Sequence, residues 1–83
     1  MQKNQYEDIQ EAQLGNKERM AFLVKNNLGL VYSIANRFKD RGIELEDLYQ
    51  IGCIGFIKSI KRFDTSFDVR LSTYSVPYMI RRN

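Results

Sequence analysis

The sequence predicts an all-α domain, a small bundle of about four helices. Apolar residues recur at spacings of three and four, no segment alternates apolar and polar residues as a half-buried strand would, and Pro77 is the only proline. A chain of 83 residues, 43% apolar with ten aromatics, can bury one modest core, so residues 1–83 form a single domain.

A first short helix runs from near Tyr6 to Leu14, with Ile9 and Leu14 facing inward. Gly15 is suited to end it, because glycine enters the left-handed conformation without steric cost, and Asn16 can cap the next helix. From Met20, the positions Leu23, Val24, Leu28, Val31, Ile34, Ala35 and Phe38 form the stripe of one long amphipathic helix, which stops at Lys39-Asp40-Arg41-Gly42. The acids Glu44, Glu46 and Asp47 suit the first turn of a third helix, running from about Glu46 to Arg62, because they complement the positive end of its dipole. Phe63 to Asp68 reads as a turn built on Asp and Ser. A last helix starts near Ser72 or Thr73, and Pro77 requires that it begin later or bend.

The third helix has two faces to satisfy. At 100° per residue, Leu48, Gly52, Gly55, Phe56, Ser59 and Phe63 gather on one side, where three small residues would let another helix approach closely. Ile51, Ile54 and Ile57 lie largely opposite, among Asp47, Gln50, Lys58 and Lys61. Either this helix is central and buried on most sides, or its second side is a docking surface for a partner.

Charge is uneven. Residues 1–47 hold seven Lys/Arg against eight Asp/Glu, about −1, and residues 48–83 hold six against two, about +4. The second half also carries Tyr49, Phe56, Phe63, Phe67, Tyr74 and Tyr78. Basic groups among rings suit nucleic acid, since cations hold phosphates and rings stack on unpaired bases; rings of an ordinary core would look the same. A lone Cys53, no histidine and no cluster with metal-ligand spacing point to a reduced, cytoplasmic protein without metal or cofactor. With neither a Cys–His nor a Ser–His pair available, an enzyme is a poor reading. No segment approaches the roughly 20 apolar residues of a membrane span.

The run Asp47-Leu48-Tyr49-Gln50-Ile51-Gly52-Cys53-Ile54-Gly55-Phe56-Ile57-Lys58-Ser59-Ile60, then Phe63-Asp64 and Leu71-Ser72-Thr73-Tyr74, resembles region 2 of the sigma-70 family of transcription initiation factors. The Gly-Cys-Ile-Gly spelling and the Tyr-Ser-Val-Pro stretch are most similar to the sporulation sigma factors of spore-forming Firmicutes. The resemblance covers roughly residues 8–80, including Asn27-Leu28-Gly29-Leu30-Val31.

That resemblance implies a cytoplasmic, nucleoid-associated DNA-binding protein with two surfaces. Asp47, Gln50, Ile51 and Cys53 would dock on the coiled-coil clamp helices of the largest subunit of core RNA polymerase. Phe63, Asp64, Arg70, Ser72, Thr73 and Tyr74 would melt the promoter and hold the non-template strand of the minus-ten element, with Arg81 and Arg82 on phosphates. Binding unstacked bases must repay a few kcal/mol of lost stacking, for which rings and hydroxyls are suited. From the residues themselves, Asp47 also serves as a helix-start acid, Phe63 also reads as core, and Lys58, Lys61 and Arg62 also read as a solvated face.

Pro77 and Tyr78 stand where primary sigma factors carry two tryptophans, which implies different stacking at the bubble edge and a specialised promoter set. After Ile80 the sporulation factors continue with a Gly-Glu-Ile stretch, whereas this chain goes directly to Arg81-Arg82-Asn83. The resemblance thus implies a truncated domain lacking the rest of the base-reading helix and the helix-turn-helix domain that reads the minus-thirty-five element. The alternative function is a truncated derivative that acts as a decoy for core polymerase or as the target of an anti-sigma factor.

Overall fold

The computed structural model describes residues 3–39, 42–66 and 68–80, with side chains from Tyr6 onward. Five helices and no strand occur among them: α1 (Lys3–Gln13), α2 (Lys17–Asn26), α3 (Leu28–Arg37), α4 (Leu45–Arg62) and α5 (Leu71–Ile80). The all-α fold is as the periodicity predicts. The helix count differs because the long second helix is two.

The break falls at Asn27, where the backbone leaves helical geometry at φ −118° and ψ 14°. The Asn27 side-chain amide donates to the Leu23 carbonyl at 2.8 Å, taking an acceptor that the helix would otherwise use. Its own N–H closes onto the Val24 carbonyl at 3.0 Å, and the Asn27 carbonyl accepts from Val31 to start α3. The apolar stripe passes through this break, since Leu23, Val31, Ile34 and Ala35 are all buried. Periodicity therefore reads one helix where packing uses two.

The first turn signals act as the sequence predicts. Gly15 takes φ +103°, and the Asn16 side chain accepts from the Arg19 amide at 3.0 Å to cap α2. Ile9 is fully buried, but Leu14, expected to face inward, is 87% exposed, because it lies in the turn beyond the last residue of α1. Helix α4 starts one residue before the expected Glu46, with Glu46 and Asp47 in its first turn.

Helix α4 packs against each of the other four, most extensively against α5 and α3. Phe56 and Ile60 are fully buried, and Ile9, Leu23, Val31, Phe63, Leu71 and Met79 close around them from every other helix. The small-residue face does what its composition suggests. A Cβ built at Gly55 would stand 2.7 Å from the Tyr78 carbonyl carbon and 3.1 Å from the Met79 Cα, so α5 lies with its backbone directly on α4. One at Gly52 would stand 2.9 Å from Val31 Cγ1, so α3 also comes close.

Helix α5 begins at Leu71, one residue before the earliest expected start, and continues through Pro77. Pro77 has no N–H to return to the Thr73 carbonyl. Both residues are exposed, so the lost bond falls on the solvent side of α5.

Candidate functional site

Helix α4 carries both candidate surfaces. Its inner side is filled by Gly52, Gly55, Phe56, Ser59 and Ile60, and Ser59 satisfies its buried hydroxyl on the Phe56 carbonyl at 2.6 Å. On its outer side Asp47 and Gln50 are exposed, Ile51 and Ile57 are half-buried, and Ile54 is 55% exposed. Helix α4 is central, in contact with every other helix, yet one stripe of the isoleucine face stays open to solvent. Asp47, Gln50 and Ile54 follow one another at spacings of three and four and form one outward stripe.

Ile51 and Cys53, which the sequence groups with Asp47 and Gln50, sit on opposite margins of that stripe. Ile51 lines an apolar cleft with Ile34, Ala35, Phe38, Ile43, Leu48, Met79 and Ile80. Cys53 is half-buried beside Tyr49. Burial holds its thiol above the usual range, against a hydrogen bond with Tyr49 that draws it down. The Tyr49 hydroxyl is likewise raised, first by lost solvation and then by Cys53. A groove on that margin is lined by Leu28, Gly29, Tyr32, Leu45, Glu46 and Tyr49, with the Tyr32 and Tyr49 rings edge to face at 6.3 Å. Sequence reasoning misses this groove, although its signal is visible: Leu28 and Tyr32, like Leu45 and Tyr49, are four residues apart on neighbouring helices.

The second surface lies where α4 ends and α5 begins. Tyr74 is its centre. Its ring meets Phe63 edge to face, with centroids 5.3 Å apart and planes at 74°, and it lies 5.4 Å from the Tyr78 ring. The Tyr74 hydroxyl reaches the Arg62 carbonyl at 3.3 Å and the Tyr78 hydroxyl at 3.0 Å. The bond with Tyr78 raises the Tyr74 hydroxyl above its usual range, partial burial adds to this, and the positive field of Arg62 opposes it.

The structure separates the other predicted DNA residues by accessibility. Phe63 is 3% exposed, so its ring is core that backs Tyr74 and is closed to a base. Asp64 is exposed but turned to its own loop, accepting from the Ser66 amide at 2.9 Å and the Ser66 hydroxyl at 2.7 Å. The Ser66 hydroxyl first, then its amide, lower the carboxyl from its ordinary value and keep it anionic. Arg70 and Thr73 are exposed and Ser72 is half-buried; the Arg70 carbonyl accepts the Tyr74 amide at 2.9 Å. Arg81 and Arg82 lie outside the described residues. Tyr78, which the resemblance connects with stacking at the bubble edge but does not group with Tyr74, joins the cluster, and its spacing of four from Tyr74 is the local signal.

The corner therefore offers partly exposed tyrosine rings, hydroxyls on the first turn of α5, and the exposed cations Lys61, Arg62 and Arg70. Such a set can stack on unpaired bases and hold phosphate. Among the described residues, no helix is long and apolar enough to cross a membrane.

The family described as Sigma-70 region 2 matches residues 23–82. The chain is 47% identical over 72 residues to the RNA polymerase sigma-F factor of Bacillus subtilis (strain 168), covering 87% of this chain and 28% of that protein. It is 50% identical over 66 residues to the RNA polymerase sigma-G factor of Clostridium acetobutylicum, covering 80% and 26%. Against the putative RNA polymerase sigma-G factor of Bacillus thuringiensis subsp. kurstaki it is 43% identical over 75 residues, covering 90% and 58%. The chain spans 28% of the length of the sigma-F factor and 26% of the Clostridium sigma-G factor. With a family match across most of its residues and sigma factors as relatives, the chain belongs to the sigma-70 region 2 family.

Proposed function

We propose that this domain is the part of a sigma factor that joins core RNA polymerase to promoter DNA. Its polymerase surface is the outward stripe of α4, docking on the clamp helices of the largest subunit. Its DNA surface is the α4–α5 corner, holding the non-template strand of the minus-ten element. The observation that carries the reading is Ile54, 55% exposed on a stripe between Asp47 and Gln50 on one side and Lys58 on the other. An apolar residue ringed by an acid, an amide and a base supplies desolvated area with polar pairing at its rim, the composition of an interface hot spot.

The DNA role rests on Tyr74 and Tyr78, whose rings stand at the half-buried margin of the same helix pair. A base turned out of the duplex gains stacking worth about 1–3 kcal/mol on such a ring, enough to offset its lost neighbours. Opening the duplex then needs no nucleotide hydrolysis. The test is photocrosslinking of the chain, bound to core polymerase, to a labelled promoter with its minus-ten element held single-stranded. Tyr74→Ala lowers crosslinking while polymerase binding persists. Equal loss of both would assign Tyr74 to the core and remove the DNA surface from this corner.

A further inference from the structure

The last residue of α1, far from either surface in sequence, reaches the turn that supports the tyrosine corner. The Gln13 side-chain amide donates to two carbonyls at the end of α4, Ile60 at 2.9 Å and Phe63 at 2.6 Å. The Ile60 carbonyl already accepts the Phe63 amide at 3.3 Å and takes Gln13 as a second donor, while the Phe63 carbonyl lies just beyond the helix: α4 ends at Arg62, and Phe63 turns out at φ −66° and ψ 131°. One turn earlier on α1, Gln10 donates to Thr65 Oγ1 at 3.3 Å, in the same loop. From the other side, the Tyr74 hydroxyl takes the intervening Arg62 carbonyl at 3.3 Å. Three carbonyls of one helix end are thus held from α1 and from α5 together.

We infer that Gln13 is a positioning residue for the DNA-facing corner: by fixing the Ile60 and Phe63 carbonyls it sets the Phe63 ring against which Tyr74 is braced. The inference rests on the DNA reading proposed above. Gln13 is itself exposed and its hydrogen bonds go to main-chain carbonyls, so its effect passes through the backbone of residues 60–63. Residue type matters here more than size. An amide at this length offers two N–H donors to two acceptors, whereas methionine has the reach and neither donor.

The test compares the full chain with Gln13→Met, and with Asn16→Ala as a control that removes the α2 cap without touching α4. Three quantities are read: capture of a short labelled single strand of randomised sequence by the chain with core polymerase, affinity for the isolated clamp-helix hairpin, and amide exchange at Phe63, Ser66 and, as a reference, Val31. Gln13→Met is expected to weaken strand capture about three- to tenfold, as loss of a net hydrogen bond implies, and to speed exchange at Phe63 and Ser66. Clamp affinity and exchange at Val31 stay unchanged, and Asn16→Ala captures the strand as the parent does. Unchanged capture by Gln13→Met overturns the inference, as does a parallel loss of capture and clamp affinity in both variants, which would mark a stability effect alone. If the parent chain captures no strand, the DNA reading itself fails and the inference with it; failure confined to Gln13→Met leaves that reading intact.

Discussion

Gly55 and Tyr78 meet backbone to backbone. A methyl group at Gly55 would press into the Tyr78 carbonyl, 2.7 Å from its carbon, with Met79 Cα at 3.1 Å. This close approach is what lets α5 lie on α4 and places Tyr74 and Tyr78 at the end of the helix carrying the outward stripe of Asp47, Gln50 and Ile54.

Gly55→Ala should therefore destabilise the domain. Forcing a methyl against backbone costs about 3 kcal/mol, and better helix propensity returns about 1 kcal/mol, for a net loss of about 2 kcal/mol. Gly52→Ala should cost less, because it meets the Val31 side chain, which can move. Gly29→Ala, with open space around it, should be neutral or stabilising by up to about 0.5 kcal/mol. Urea unfolding midpoints of the three variants check this order, and a harmless Gly55→Ala would contradict the α4–α5 contact.

Tyr74→Phe keeps the ring against Phe63 and removes the hydroxyl bonds to Arg62 and Tyr78. Stability should fall by about 0.5 kcal/mol, the low end for a hydrogen bond at a half-buried site. The parent should also show an alkaline effect. Because the folded Tyr74 hydroxyl titrates above its ordinary 10.0, its contribution is complete below that pH and is lost as pH rises through the higher folded value. Unfolding free energy measured upward from pH 10.0 should decline, and Tyr74→Phe should flatten the decline.

Asp64 acts at the acid end. Its folded carboxyl titrates below the ordinary 3.8, chiefly through the Ser66 hydroxyl, so its contribution is present above that pH and disappears as pH falls through the lower folded value. Asp64→Ala should release the Ser66 amide to faster hydrogen exchange at neutral pH. In the parent, protection at Ser66 relative to Val31 should fade on acidification below pH 3.8. Unchanged Ser66 exchange in Asp64→Ala would show that the turn is held by other bonds.

Much of this architecture is legible in the residues. Gly15 and Asn16 mark the α1–α2 corner, the acids of 44–47 mark the start of α4, and Gly52, Gly55 and Ser59 mark its inner face. The break at Asn27 is less visible, because the apolar stripe continues through it and the side-chain bond to Leu23 is a local competitor that periodicity does not register. Leu14 misleads because a hydrophobic residue just beyond a helix end has no face to belong to. Phe63 shows the opposite limit: the same ring suits a core or a base stack, and only its burial decides. The contacts of Gln13 join residues 47 and 50 positions apart, and nothing local announces them.

Whether the outer stripe of α4 docks on polymerase is decided by calorimetric titration of the chain with the isolated clamp-helix hairpin. Saturable binding is expected, weakened by about 2 kcal/mol, roughly thirtyfold, in Asp47→Ala/Gln50→Ala, with helicity unchanged because both residues are exposed. No binding by the folded chain, or equal binding by the double variant, would contradict a docking role for this stripe.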